Sequence, residues 1–198
     1  MRRVLIYGSI VLVIVLGYVG YTLYQRGVLS GKARAELALQ EPEKKESRER
    51  LEALYKAWKA FRADHKGAEP GSVEALIPKY LSNPEMLISP TAARWHKAEP
   101  GMAPGSIKIG DTSHPVSYGF RWLTAGYSRI ATKQGDKAVL IVDDSAITAL
   151  YHAAYKVSPP PGAFDASKRD QWIPEVQNAK VLVLRRSGAV EEVSPADE

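Results

Sequence analysis

The sequence predicts an α+β protein in which an N-terminal transmembrane helix is followed by an amphipathic helix packed on an antiparallel β-sheet. Three observations predict this fold class. An uncharged apolar run extends from Val4 to Tyr24, an apolar stripe at helical spacing extends from Leu51 to Phe61, and strand patterns occupy the C-terminal half. The expected organisation is a membrane anchor at 1–26, a linker or stalk at 27–46, a globular domain at 47–194 and a tail at 195–198.

The composition is that of a globular protein, with 45% apolar and 25% charged residues among 198. The chain has no cysteine, which excludes disulfides, thiol nucleophiles and cysteine-ligated metal centres. The formal charge is +5, but Arg2, Arg3 and Arg26 flank the apolar run, and without them 24 basic residues stand against 22 acidic ones. Such a balanced body does not favour nucleic acid as a partner.

The run from Val4 to Tyr24 is long enough to cross a bilayer, because as a helix it spans roughly 30 Å. The alternatives are a cleaved signal peptide or a buried core helix. The apolar region of a signal peptide usually has only about 7 to 15 residues, and the small residues of Ala33-Arg34-Ala35 lie well beyond the run. The sequence therefore predicts a retained anchor with the lipid bilayer as its partner. Flanking charges are similar on both sides and do not fix the orientation.

The strongest helix pattern of the remaining chain begins at Glu43, with Pro42 in its first turn. Its apolar positions recur at steps of three and four and predict a face for a core: they are Leu51, Leu54, Tyr55, Trp58 and Phe61. Gly67 is the expected left-handed C-terminal residue. After it, Gly71–Leu81 is predicted to contain a short serine-capped helix that Pro78 ends, followed by an apolar turn. Ser82–Glu85 begins another turn, and Thr91–Pro115 is interpreted as a long surface loop.

The C-terminal half carries strand patterns separated by turn residues, which predict an antiparallel sheet. The predicted strands are Val116–Leu123, Ser128–Thr132, Ala138–Val142, Lys180–Arg185 and Ala189–Val193. Arg186-Ser187-Gly188 separates the last two and predicts a hairpin. Ile147–Lys156 fits either a short helix or a loop, and the prolines that follow end it.

The stretch from Leu54 to Pro90 resembles the pilin-like and type II secretion pseudopilin-like proteins with a C-terminal sheet. Those proteins have a helix that ends in an aromatic-x-x-Asp pattern, a loop with glycine and proline, a leucine-rich segment and a closing proline. The corresponding residues here are Phe61, Asp64, Gly67, Pro70, Leu76, Tyr80, Leu81, Pro84, Leu87 and Pro90. Ser89 stands where a cysteine is frequent in the family, and weaker similarity continues at Ser117-Tyr118 and at the last hairpin.

The resemblance implies a pilin-like head outside the cytoplasm, held by a single helix in the inner membrane. The sequence departs from the family at its leader, where Gly8 is followed by Ser9 and has Val13 at the fifth position instead of the family's aromatic residue and glutamate. It also has Gln177 and Ser187-Gly188 where relatives have a histidine and Asp-Gly. We therefore transfer no functional residue from the family, and the leader does not predict processing or filament assembly.

Asp143-Asp144, at the end of an apolar strand, is the one candidate pair for chemistry. Paired carboxylates can bind calcium or act as acid and base, but a plain strand-end turn explains the pair as well. No cofactor is expected, and calcium is the form that a metal would take. The four histidines lie far apart without metal-ligand spacing.

These observations favour a non-enzymatic envelope protein whose head is a binding or assembly module, linked to type II secretion or to a pilus-like machine. Its expected partners are the bilayer and envelope or secretion-machine proteins. Two alternatives stay open. One is a membrane-tethered periplasmic hydrolase that uses Asp143 or Asp144, and the other is a sensor or adaptor domain, since a fold does not fix a function.

Overall fold

The computed structural model describes residues 41–98, 105–143, 145, 148 and 180–194. The expected anchor, the segment 149–179, Asp144 and the tail at 195–198 lie outside the described residues. Among the described helices, none combines the length and the apolar character that a membrane crossing requires. The described part is α+β, with helices and antiparallel sheets, and this coarser part of the predicted fold class is confirmed.

The first helix, α1, extends over Glu41–Asp64. It is rich in strong helix formers and has Glu41 and Glu43 in its first turn, where negative charge favours the helix dipole. Four of the five predicted stripe residues, Leu51, Leu54, Trp58 and Phe61, are buried together with Ser47 and Ala57, and the fifth, Tyr55, is partly buried. After α1, Gly67 takes a left-handed conformation with φ +86 and donates to the carbonyl of Arg62 at 2.7 Å. The predicted helix and its C-terminal glycine are confirmed.

A four-stranded antiparallel sheet with strands in sequential order packs against α1. Its strands are β3 (Gly119–Phe120), β4 (Val139–Asp143), β5 (Val181–Arg185) and β6 (Val190–Val193). The central strands β4 and β5 are buried almost throughout, as expected for near-continuous apolar runs covered on both faces. The predicted strand at Ala138–Val142 and the predicted terminal hairpin are confirmed within one residue at each end.

The turn between β5 and β6 lies directly against α1. Gly188 has φ +93, and a Cβ atom at this position would lie 2.7 Å from Cε1 of Tyr55. The Tyr55 hydroxyl donates to the carbonyl of Arg186 at 3.2 Å. This turn therefore requires glycine both for its backbone conformation and for the close approach of the ring.

The outer strand β6 is joined to α1 by two basic side chains. Arg48 Nη1 donates to the carbonyl oxygen of Val190 at 2.9 Å, and Lys44 Nζ lies 3.2 Å from a carboxylate oxygen of Glu192. The first half of α1 thus covers part of this edge of the sheet.

The prediction of a long loop over Thr91–Pro115 was wrong. Helix α2 extends over Pro90–Ala98, and an antiparallel hairpin follows, with strands β1 (Gly105–Ile109) and β2 (Thr112–Val116). Ser89 caps α2, because its Oγ accepts from the backbone N–H of Ala92 at 3.1 Å. Gly110, with φ +60, provides the tight turn between the strands.

The prediction of a strand over Ser128–Thr132 was also wrong, since helix α3 extends over Tyr127–Gln134. Gly126 and Gly135, with φ +82 and +57, bound this helix. Tyr127 is buried and Ala131, four residues later, packs against the core. That spacing belongs to a helix, but five residues are too few to separate it from strand alternation.

Two further segments differ in detail from their predictions. The predicted strand Val116–Leu123 pairs with β4 only at β3 and then forms a 3₁₀ turn at Arg121–Leu123. Within Gly71–Leu81 the helical part is a 3₁₀ turn at Glu74–Leu76 without a side-chain cap, so the predicted serine cap is absent. The turn at Pro84–Leu87 does have a cap, because Asn83 Oδ1 accepts from the N–H of Glu85 at 2.9 Å.

Candidate functional site

Asp143, a predicted site residue, ends β4 beneath the first half of α1. Its side chain is buried, with 1% of the residue exposed. Oδ2 accepts from the hydroxyl of Ser47 at 2.6 Å. Oδ1 accepts from the hydroxyl of Ser145 at 2.7 Å and from the Ser145 N–H at 3.3 Å. Both carboxylate oxygens therefore have protein donors, and its predicted partner Asp144 lies outside the described residues.

The hydrogen bonds continue on both sides of the carboxylate. The hydroxyls of Ser47 and Tyr118 are 3.2 Å apart, and those of Ser145 and Ser89 are 2.6 Å apart. We call these five residues, Ser47, Ser89, Tyr118, Asp143 and Ser145, the serine–aspartate cluster. None is more than 4% exposed. The cluster connects α1, the start of α2, the β3 region and the chain that follows β4.

Burial is the main cause of the raised pKa of Tyr118. Loss of solvent disfavours the phenolate and raises the pKa of Tyr118, and the nearby charge of Asp143 raises it further. The hydrogen bond with Ser47 and the positive charge of Arg50 act in the opposite direction but are weaker. Arg50 donates to Glu46 on its own helix and to the carbonyl of Ile88. The Tyr118 hydroxyl is therefore neutral throughout the physiological pH range.

The geometry of the serine–aspartate cluster fits a role in stabilising the fold better than a role in catalysis. A general base has to reach the proton of a substrate, but Asp143 is buried and its oxygens already accept from serines. A nucleophilic serine needs an adjacent base and access to its substrate. The Asp143 carboxylate accepts from Ser47 and Ser145, but both serines are buried with it. Among the described residues, no three histidine or acidic side chains are grouped as a metal site would need.

Sequence reasoning identified Asp143 but missed Ser47, Ser89, Tyr118 and Ser145 as its neighbours. One signal was present for Ser47, because it lies four residues before Leu51 on the apolar stripe of α1. A polar residue on a core-facing stripe has to find a buried hydrogen-bond partner. Ser145 lies two residues after Asp143 and bonds to it locally. Ser89 and Tyr118 join the cluster by tertiary packing, through Ser145 and Ser47.

The raised pKa of Tyr118 implies a loss of stability in alkali. The folded state keeps the hydroxyl proton to a higher pH than the unfolded chain, in which the pKa is about 10. The contribution of this residue is therefore complete below pH of about 10 and is lost as the pH rises beyond it. We expect Tyr118→Phe to make the decline shallower, measured as urea midpoints between pH 8 and 11. Burial also raises the pKa of Tyr127, so the urea midpoint should still fall with rising pH in both the parent and the Tyr118→Phe variant. An equally steep fall in the two proteins would contradict this account.

Calcium should not change the stability of the protein through Asp143. Both oxygens of this carboxylate are occupied by serine donors, which a cation would have to displace. We expect equal melting temperatures in calcium and in chelator, both for the parent and for a variant with Asp143→Asn and Asp144→Asn. An upward shift in calcium that the double variant lacks would contradict this expectation and assign the metal to the acidic pair.

No family model, curated protein or solved structure matches this chain significantly. The resemblance between Leu54–Pro90 and the pilin-like proteins therefore rests on the residues themselves.

Proposed function

We propose that this chain is a non-enzymatic, membrane-anchored envelope protein of the pilin-like type, whose head serves as a binding or assembly module. The observation that carries the proposal is α1 packed along a four-stranded antiparallel sheet, in a chain whose sequence places an apolar run of membrane length before that helix. In this proposal the run lies in the inner membrane and the head lies outside the cytoplasm, in contact with a secretion or pilus-like machine.

The packing of the residues that carry the resemblance supports a scaffold. Phe61, Leu76, Leu81 and Leu87 are all buried, and they belong to the same core cluster as the central strands. The pattern shared with the pilin-like proteins thus consists largely of packing positions. The serine–aspartate cluster adds internal hydrogen bonds to that core, so the surfaces of the head are left to carry the function.

The absence of cysteine makes a clean topology experiment possible, because one introduced cysteine is the only thiol in the protein. Lys59 is exposed on α1. We expect Lys59→Cys to react with a membrane-impermeant maleimide in spheroplasts and Arg3→Cys to react only after lysis. We also expect the full chain to stay in the membrane pellet after extraction with alkaline carbonate. Release by carbonate, or the reverse labelling pattern, would refute the proposed anchor and orientation.

Assembly is tested in the same cysteine-free background. Single cysteines placed at successive positions of the apolar run, from Val11 to Val15, should give disulfide-linked pairs of the chain at a subset of positions on one helix face. A bis-maleimide crosslinker should also join some of them to envelope proteins. If no cysteine position gives a disulfide-linked pair or a crosslink to an envelope protein, the result would argue against an assembly module and in favour of an isolated sensor or adaptor head.

A further inference from the structure

The surface of segment 121–137 combines exposed apolar and basic side chains. Leu123 and Ile130 are 42% and 47% exposed, and they are the exposed large hydrophobic residues of the described part of the chain. The same segment carries the exposed Arg129 and Lys133 and the half-buried Arg121. We call these five residues the basic face. Its apolar and charged members lie on the 3₁₀ turn at Arg121–Leu123 and on α3, two elements that contact each other.

The basic face is held on a fixed support. Helix α3 is anchored from below by Tyr127, which is 4% exposed, and by Ala131, which packs against the core. On the opposite side of the same helix, Arg129 and Lys133 are four residues apart and therefore neighbours, with Ile130 beside them. A surface that is already ordered loses little conformational entropy when it binds a partner.

The arginines of the basic face differ from the other arginines of the described ranges. Six of the eight described arginines hydrogen-bond to a carboxylate or a carbonyl: Arg48, Arg50, Arg62, Arg94, Arg185 and Arg186. Arg121 and Arg129 are the two for which the described structure has no such contact, and each is within two positions in sequence of an exposed large apolar residue. Arginine next to exposed apolar groups is typical of protein interfaces, where it forms paired hydrogen bonds with carboxylates.

The buried side of α3, opposite the basic face, lies toward the second half of α1. Tyr127 lies near Arg186, and the Arg186 guanidinium lies 5.4 Å from the centroid of the Trp58 ring. The charge of the basic face and its two exposed apolar side chains favour a protein partner that offers carboxylates and an apolar residue.

We infer that the basic face docks an acidic segment of a partner protein that also presents an apolar side chain. The carboxylates pair with Arg121, Arg129 and Lys133, and the apolar residue packs on Leu123 and Ile130. This inference deepens the proposed function, because it rests on the head acting as a binding module and adds the chemistry of the bound partner.

The test is photo-crosslinking of the full chain in its native membranes. A photoreactive amino acid replaces Ile130, and the crosslinked peptides are identified by mass spectrometry. We expect a discrete adduct whose partner peptide is rich in Asp and Glu. Arg129→Glu with Lys133→Glu should lower its yield at least tenfold, and 0.5 M salt should lower it as well, because exposed charge pairs are screened. The matched control is Lys56→Glu with Lys59→Glu, two exposed cations of α1, which should leave the yield unchanged.

Three outcomes would overturn the inference: an adduct with lipid, an adduct with a peptide lacking acidic residues, or no adduct that depends on Arg129 and Lys133. Circular dichroism of each variant verifies that the head is folded before the yields are compared. Failure here is distinguishable from failure of the proposed function. An anchored, correctly oriented chain without the acidic adduct refutes only the inference, whereas an acidic adduct on a chain that carbonate releases refutes only the anchor.

Discussion

Replacing Trp58 with alanine should lower the free energy of unfolding of the head by about 3 to 5 kcal/mol. The residue is 3% exposed, and its Nε1 donates to Glu69 at 2.6 Å. The ring also lies 4.7 Å from the guanidinium of Arg62 and 5.4 Å from that of Arg186. The variant would leave a cavity and would also remove the donor to Glu69 and two cation–π contacts.

The measurement is urea denaturation followed by circular dichroism. The matched control is Lys59→Ala, one residue along the same helix but exposed, which should stay within about 0.5 kcal/mol of the parent. A loss below about 1 kcal/mol for Trp58→Ala would show that the aromatic stripe of α1 does not pack in the core.

Replacing Asp143 with alanine should cost about 3 kcal/mol, because it removes the acceptor of three hydrogen bonds in a buried site. The hydroxyls of Ser47 and Ser145 can turn to other members of the cluster, but the N–H of Ser145 would lose its acceptor. A buried polar group without a partner costs roughly 1 to 3 kcal/mol, and a hydrogen bond to a charged group contributes about 1.5 to 3 kcal/mol. Asp143→Asn keeps one carbonyl oxygen and nearly the same volume, so its loss should be smaller.

The control for the aspartate is Asp136→Ala, since the Asp136 side chain is exposed on the surface and should tolerate the change. Equal losses for Asp143→Ala and Asp136→Ala would show that the serine–aspartate cluster does not hold α1 on the sheet. If Asp143→Ala lowers the free energy of unfolding and Asp143→Asn lowers it much less, the hydrogen bonds to the side-chain oxygens account for the stabilisation.

The sequence predicted the elements whose patterns are long or sharply bounded. The stripe of α1 repeats over several turns, and the hairpin of β5 and β6 is two apolar runs around a glycine turn, so each has a dominant period. The segments predicted wrongly are short. At α2 the decisive feature is one serine cap before Pro90, and at α3 it is a pair of flanking glycines with two packing residues. In such segments tertiary contacts outweigh local propensity.

The candidate site was predictable only in part, and the reason is physical. Asp143 stood out because a carboxylate ends an apolar strand. Its partners come from positions as far as 96 residues away in the sequence, as for Ser47, and a serine carries little pattern of its own. What the sequence could not indicate is the direction of the carboxylate. It turns into the domain, toward hydroxyl donors, rather than outward to solvent.

The contact between α1 and β6 has a consequence for how copies of this protein can associate. An outer strand with free backbone groups invites β-strand addition by another chain. Here the carbonyl of Val190 already accepts from Arg48, and Lys44 binds Glu192 beside it, so an incoming strand would first have to displace both cations. Donor-strand exchange and edge-to-edge aggregation are thereby disfavoured at β6, even at high local concentrations of the chain.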